Sequence, residues 1–85
     1  MKDEVIELLG DDSYALFADG FDEAIIGVEL NSDRVVYDKN LMVDILIEEG
    51  MDHVDAIEHL SHNVWGAYVG VHTPVYVDTI PLKTN

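Results

Sequence analysis

The spacing of acidic residues is the feature that most limits how this chain folds. Between Lys2 and Arg34 lie ten acids and no base, and between Lys39 and Lys83 lie seven acids and no base. Because charges recur so often, every apolar run is far shorter than the roughly 20 residues that cross a bilayer. The 85 residues therefore predict one small domain around a single modest core, with apolar stripes facing inward and acids facing water.

The charge balance restricts the partners. Four bases stand against 18 acids, so the net charge is −14. Such a surface repels nucleic acid and anionic lipid and attracts cations and basic protein surfaces. We expect neither direct nucleic-acid binding nor membrane binding.

The chain has no cysteine, which excludes disulfides and zinc–thiolate sites, and its first ten residues are too acidic for a signal peptide. We therefore expect a cytoplasmic protein.

The hydrophobic pattern predicts an α+β fold with the chain order α-β-β-α-α-β. Helices are predicted near 3–9, 39–49 and 53–69, and strands near 24–30, 34–38 and 73–78. Asp38 is a predicted N-cap and Gly50 a predicted helix end. Gly27 inside the first strand indicates either a bulge or a place where a helix lies close. We expect a mainly antiparallel three-stranded sheet packed on a helical hairpin.

The domain organisation follows from these elements. Residues 1–85 are predicted to form one domain, with an N-terminal helical arm (1–20), a compact core region (21–80) and a tail (81–85). The side chains predicted to form the hydrophobic core are Ile25, Val28, Val35, Ile45, Leu46, Ile57, Leu60, Val64 and Trp65.

One window carries almost no charge. The stretch "HNVWGAYVGVHTPVYV" (62–77) holds the only tryptophan and two of the four tyrosines. We interpret its neutrality as burial, with the last turns of a helix and an edge strand contributing to the core. The alternative is that Trp65 and Tyr68 are partly exposed and anchor a partner, because both residue types are enriched at binding hot spots.

Four stretches together resemble a family of small acidic proteins encoded mostly by bacteriophages. They are "FDEAIIG" (21–27), "RVVYD" (34–38), "EEGMDHVDAIE" (48–58) and "NVWGAYVGVHTPVYV" (63–77). The resemblance covers about two-thirds of the chain, departs at "EHLSH" (58–62), where relatives tend to carry an aromatic residue, and excludes residues 1–20. The family has no assigned activity, so the resemblance implies a phage origin and a fold but no mechanism.

A metal site and an enzyme active site are both weakly indicated. Asp55, His59 and His62 follow i, i+4, i+7 spacing, so they share a helix side and could ligate zinc. The alternative is an ordinary polar helix side, since a tetrahedral ion still needs a fourth ligand. Carboxylate pairs are too numerous to mark an active site, and no phosphate-binding loop or dinucleotide fingerprint is present. We predict no enzymatic activity and no cofactor.

Two hypotheses for the function remain open. In the first, the protein is a phage-encoded module that mimics DNA and binds a basic surface of a host protein that handles nucleic acid. In the second, it is a structural or self-associating acidic protein, salt-adapted or not, which forms a homodimer through the strand edge at "VYVDTI" (75–80). For the first hypothesis, the predicted partner-binding residues are Asp44, Glu48, Glu49, Asp55, Glu58, Asp11, Asp12, Asp19 and Asp22.

Overall fold

The computed structural model describes residues 2–10 and 13–80 and shows an α+β fold with three helices and a three-stranded sheet. The elements in chain order are α1 (Lys2–Leu9), a 3-10 turn (Asp22–Ala24), β1 (Ile25–Glu29), β2 (Arg34–Asp38), α2 (Lys39–Glu48), α3 (His53–Leu60), a π-helical turn (Ser61–Trp65) and β3 (Val75–Val77). The predicted class is confirmed, and the predicted bounds of α2 and β2 are within one residue of those observed.

Local signals explain where α2 begins and ends. The Asp38 side chain accepts a hydrogen bond from the Asn40 backbone N–H at 3.0 Å, which satisfies one of the free donors of the first turn. At the other end Gly50 has a φ of 108°, which suits glycine, and the Met51 N–H donates to the Leu46 carbonyl at 3.0 Å. The predicted cap and stop are thus confirmed. Asp52 also occupies the N-cap position of α3, but its side chain makes no capping hydrogen bond.

The predicted hairpin joins β1 and β2. The two strands pair antiparallel, with Val28 opposite Val35, and the register shifts between Ile25 and Gly27, as expected for the predicted bulge. Glu29 organises the turn that follows. Hydrogen bonds from the Ser32 hydroxyl and from the backbone N–H of Asn31 hold the pKa of the Glu29 carboxyl below its ordinary value.

The third strand runs in a different direction from the one predicted for a mainly antiparallel sheet. β3 pairs with β2 in parallel, with Val36 opposite Val75, so the sheet is mixed with the order β1-β2-β3. Parallel neighbours need a long crossover, and the 36 residues from 39 to 74 provide it. The Arg34 side chain donates from Nε to the Thr73 carbonyl at 2.6 Å. This contact brings the start of β3 beside the start of β2, and the two strands then run the same way.

The predicted helix over 53–69 is too long. α3 ends at Leu60, and one π-helical turn continues to Trp65. The Asn63 side-chain amide donates to the His59 carbonyl at 3.0 Å within this wider turn. From Gly66 the chain forms an open loop that reaches β3.

The core confirms most of the predicted buried residues. Ile25, Val35, Leu46 and Leu60 are buried, and Val28, Ile45, Val64 and Trp65 pack against them partly buried. Ile57 was predicted wrongly, because its side chain is 37% exposed and Ala56 is the buried residue of that turn. α3 therefore turns to the core the side that carries Ala56 and Leu60, which are four residues apart.

The segment before β1 also contributes to the core. Val5 of α1 is buried within it. The backbone N–H of Ala18 donates to the Tyr37 hydroxyl oxygen at 2.7 Å, and the Tyr37 side chain is fully buried in β2. This bond fastens the chain before the 3-10 turn to the middle strand of the sheet.

Tyr37 leads to a prediction about alkaline pH. Burial raises the pKa of Tyr37 to about 12, and burial also raises the pKa of Tyr76, whereas an unfolded tyrosine titrates near about 10. The folded state favours the neutral phenol, so its stabilising contribution is complete below about pH 10 and is lost as the pH rises towards about 12. We expect the urea midpoint to fall as the pH rises from about 10 towards about 12.

The variant Tyr37→Phe isolates this effect. It should unfold about 1–2 kcal/mol more easily at neutral pH, because the Ala18 N–H loses its acceptor, but its stability should depend less on alkaline pH. The variant Tyr14→Phe changes an exposed ring and serves as the control. Its urea midpoint should fall with rising pH as steeply as that of the wild type. If the urea midpoints of the wild type and of Tyr37→Phe fell equally steeply with pH, the prediction would be contradicted.

Candidate protein-binding surface

Carboxylates occupy the exposed sides of α2 and α3. The seven predicted partner-binding acids that the structure describes are all exposed: Asp44, Glu48, Glu49, Asp55, Glu58, Asp19 and Asp22. Asp11 and Asp12 lie outside the described residues. Within the part of the chain that is described, none of the seven side chains forms an ion pair or a hydrogen bond. Their negative charge therefore faces solvent uncompensated.

The three described basic residues are already engaged. The Arg34 Nε donates to the Thr73 carbonyl. The Lys39 ammonium lies 4.8 Å from the centre of the Trp65 ring and 3.9 Å from the Asp78 carboxylate. The Lys2 ammonium lies 4.7 Å from the centre of the Phe17 ring. These contacts hold the cations against aromatic rings and backbone, and among the described residues none of the three forms an ion pair with an acid of α2 or α3.

The neutral window is exposed in its middle, which corrects the expectation of burial. Tyr68, Val69 and Val71 are 77%, 61% and 73% exposed. The two ends of the window pack: Trp65 contacts the core, where its Nε1 lies 3.5 Å from the Met42 sulfur. At the other end Thr73 and Pro74 are buried, and Val75–Val77 forms β3. Tyr68 is thus exposed, as the alternative interpretation expects, and its role as an anchor for a partner stays a prediction. The two glycines at 66 and 70 are the sequence signal for a loop here, since glycine weakens a helix.

Thr73 holds this exposed loop in one conformation. Its side chain is buried, and its hydroxyl accepts from the Val69 N–H at 3.0 Å and donates to the Gly70 carbonyl at 2.6 Å. Gly70 has a φ of 116°, a backbone conformation open to glycine at little cost. Since Arg34 in turn bonds the Thr73 carbonyl, the loop is tied to the sheet.

His72 attaches the same loop to two other segments. Its Nδ1 lies 3.0 Å from the Ser32 carbonyl oxygen in the β1–β2 turn, a hydrogen bond made by the form that carries a proton on Nδ1. Its ring stacks on the exposed Tyr14 ring at a centroid distance of 6.2 Å. The loop, the hairpin turn and the segment after α1 thus meet at one place.

An apolar groove runs beside the loop. It has a volume of about 410 Å³ and lies between residues 16–21 and residues 63–76. Its walls include Leu16, Phe17, Phe21, Val64, Val69 and Tyr76, and Asp19 is the only carboxylate among its lining residues. A smaller groove of about 240 Å³ lies between α1 and residues 13–17, and Phe17 borders both. Sequence reasoning missed the larger groove because residues distant in the chain form its walls.

The metal hypothesis gains no support from the geometry. Over residues 2–10 and 13–80, no group of three or more histidine and acidic side chains is placed to hold a metal ion, so Asp55, His59 and His62 do not converge. The His59 Nδ1 instead lies 3.4 Å from the Asn63 side-chain amide.

Among the described helices, none is long and apolar enough to cross a membrane.

Comparisons with known proteins gave no match: no protein-family model, no curated protein and no solved structure was found to be similar to this chain.

Proposed function

We propose that this protein is a non-enzymatic acidic module that binds a basic surface on another protein. The observation that supports the proposal is the uncompensated negative charge on the exposed sides of α2 and α3, whose carboxylates have no ionic partner among the described residues. An isolated protein gains no stability from such charge, since like charges one helical turn apart destabilise by a few tenths of a kcal/mol. A basic partner surface would compensate it.

The amount of charge makes a DNA-binding surface the best partner. B-DNA carries one charge per about 1.7 Å of axis, so an object 39 Å long corresponds to roughly 23 phosphates. The net charge of −14 is of the same order. We propose that the protein is phage-encoded and occupies, in the host cytoplasm, the basic surface of a protein that handles nucleic acid.

Capture from a bacterial lysate followed by competition with DNA tests this function. The immobilised protein should capture a nucleic-acid-binding protein at about 50 mM salt and lose it at about 0.5 M salt, because screening weakens exposed charge pairs. Duplex DNA added at low salt should displace the captured protein. Binding of the purified partner should show the same salt dependence. A partner that DNA does not displace would contradict mimicry, and no capture at low salt would contradict the module itself.

Self-association is the second candidate, and the position of β3 at the edge of the sheet favours it. A net charge of −14 opposes contact between copies, so a dimer should form more readily at high salt than at low salt. Light scattering at high micromolar concentration measures this directly. A monomer at both salt concentrations would exclude the second candidate.

A further inference from the structure

We infer that the groove of about 410 Å³ between residues 16–21 and 63–76 receives a large apolar side chain from a basic segment of the partner. The inference rests on the proposed function, because it identifies the kind of partner segment that the acidic module holds. In this arrangement the carboxylates attract the segment, and the groove anchors it.

The groove has the size and lining of an anchor site. Pockets that enclose small ligands span about 300–1,000 Å³ and are mostly apolar with a few polar groups. This groove lies at the lower end of that range, and the Phe17, Phe21 and Val69 side chains line it together with the single carboxylate of Asp19. One large aliphatic or aromatic side chain suits such a space.

The loop beside the groove is ordered before any partner arrives. Thr73 bonds both the Val69 N–H and the Gly70 carbonyl, and Arg34 bonds the Thr73 carbonyl. A loop held in this way loses little conformational entropy on binding. Tyr68 and Val69 nevertheless expose most of their side chains, and tyrosine is among the residue types that contribute most at interfaces.

The charges around the groove select a basic segment over a second copy of this chain. Asp19 lies in the groove, and exposed Asp22 and Glu23 directly follow Phe21, which lines it. A second copy would bring another −14 charges against these acids, which is unfavourable. The occupant is therefore an apolar side chain flanked by lysine or arginine.

Three synthetic peptides of equal length serve as probes. The first combines lysine with leucine and one tryptophan, the second replaces those apolar residues by serine, and the third replaces the lysines of the first by glutamate. We expect the lysine–leucine peptide to bind about tenfold or more tightly than the lysine–serine peptide, since one anchor contributes at least this much. The glutamate peptide should not bind.

Two double variants with unchanged net charge locate the anchor. The variant Tyr68→Ser with Val69→Ser alters the loop, and the control Leu8→Ser with Leu30→Ser alters two similarly exposed apolar residues elsewhere. The loop variant should weaken the lysine–leucine peptide about tenfold and leave the lysine–serine peptide unchanged. The control should change neither, and circular dichroism should show that both variants are folded.

Four results would overturn the inference. If both lysine peptides bind equally well, or if the loop variant binds the lysine–leucine peptide as tightly as wild type does, the anchor is absent although charge-driven binding stands. If no lysine peptide binds, the proposed function fails as well. If the lysine–leucine peptide does not bind and the loop variant converts a dimer into a monomer in sedimentation, a second copy occupies the groove instead.

Discussion

Replacing Leu46 by alanine is expected to lower the free energy of unfolding by about 2–5 kcal/mol, the usual range for deleting a buried leucine. Leu46 lies in α2 with only 6% of its surface exposed, and it belongs to the same cluster as Val35 and Leu60. Its deletion leaves a cavity between the helices and the sheet. Small domains are stable by only about 5–15 kcal/mol, so this change removes much of the total. Urea unfolding followed by circular dichroism measures it.

The variant Ile57→Ala provides the matched comparison. The hydrophobic pattern predicts Ile57 to be as buried as Leu46, but the structure leaves it 37% exposed. We therefore expect a loss of about 1 kcal/mol or less for Ile57→Ala, because partly exposed side chains transfer less surface out of water. Equal losses for the two variants would show that α3 presents Ile57, and not Ala56, to the core.

Charge reversal on α2 and α3 is expected to have the largest effect on binding. Changing Asp44, Glu48 and Glu58 to lysine shifts the net charge from −14 to −8, since each reversal adds two charges and three add six. Each exposed ion pair is worth about 0–1 kcal/mol, and each reversal also introduces repulsion from a basic partner. Three together should weaken binding to the captured partner by roughly 100-fold. The measurement is a titration at low salt.

A second triple variant with the same net charge separates location from total charge. Reversing Asp3, Glu7 and Asp78, which are exposed elsewhere on the chain, also changes the net charge from −14 to −8. It should weaken binding much less if the surface of α2 and α3 is the contact. Both variants should unfold at nearly the wild-type urea concentration, because surface changes are usually within about 0.5 kcal/mol. Equal weakening by both would mean that only the total charge matters.

Signals contained in a few neighbouring residues predicted the local structure well. Asp38 caps α2, Gly50 ends it, and Gly27 marks the bulge of the hairpin. In each case the energetic preference belongs to one side chain and the backbone next to it, so no distant residue had to be known. The exposure of Asp44 and Glu48 follows in the same way, because charged side chains are rarely buried without a partner.

The direction of β3 was not predictable from such signals. A strand of three residues, Val75–Val77, pairs equally well in either direction by its own composition. The long connection from α2 to β3 and the bond from Arg34 to the Thr73 carbonyl decide that it runs parallel to β2. These partners are 39 residues apart, and hydrophobic periodicity contains no information about that distance.

The sequence by itself determined the acidic character of the protein, its α+β class and the ends of its main helix, because these depend on composition and on contacts within a few residues. Only the tertiary structure decided which apolar residues face water. A neutral window favours burial, yet Thr73 and Arg34 use its backbone to build a loop that leaves Tyr68 and Val69 exposed beside a groove. An apolar side chain is buried only where a neighbouring element covers it, and that neighbour is chosen by the fold.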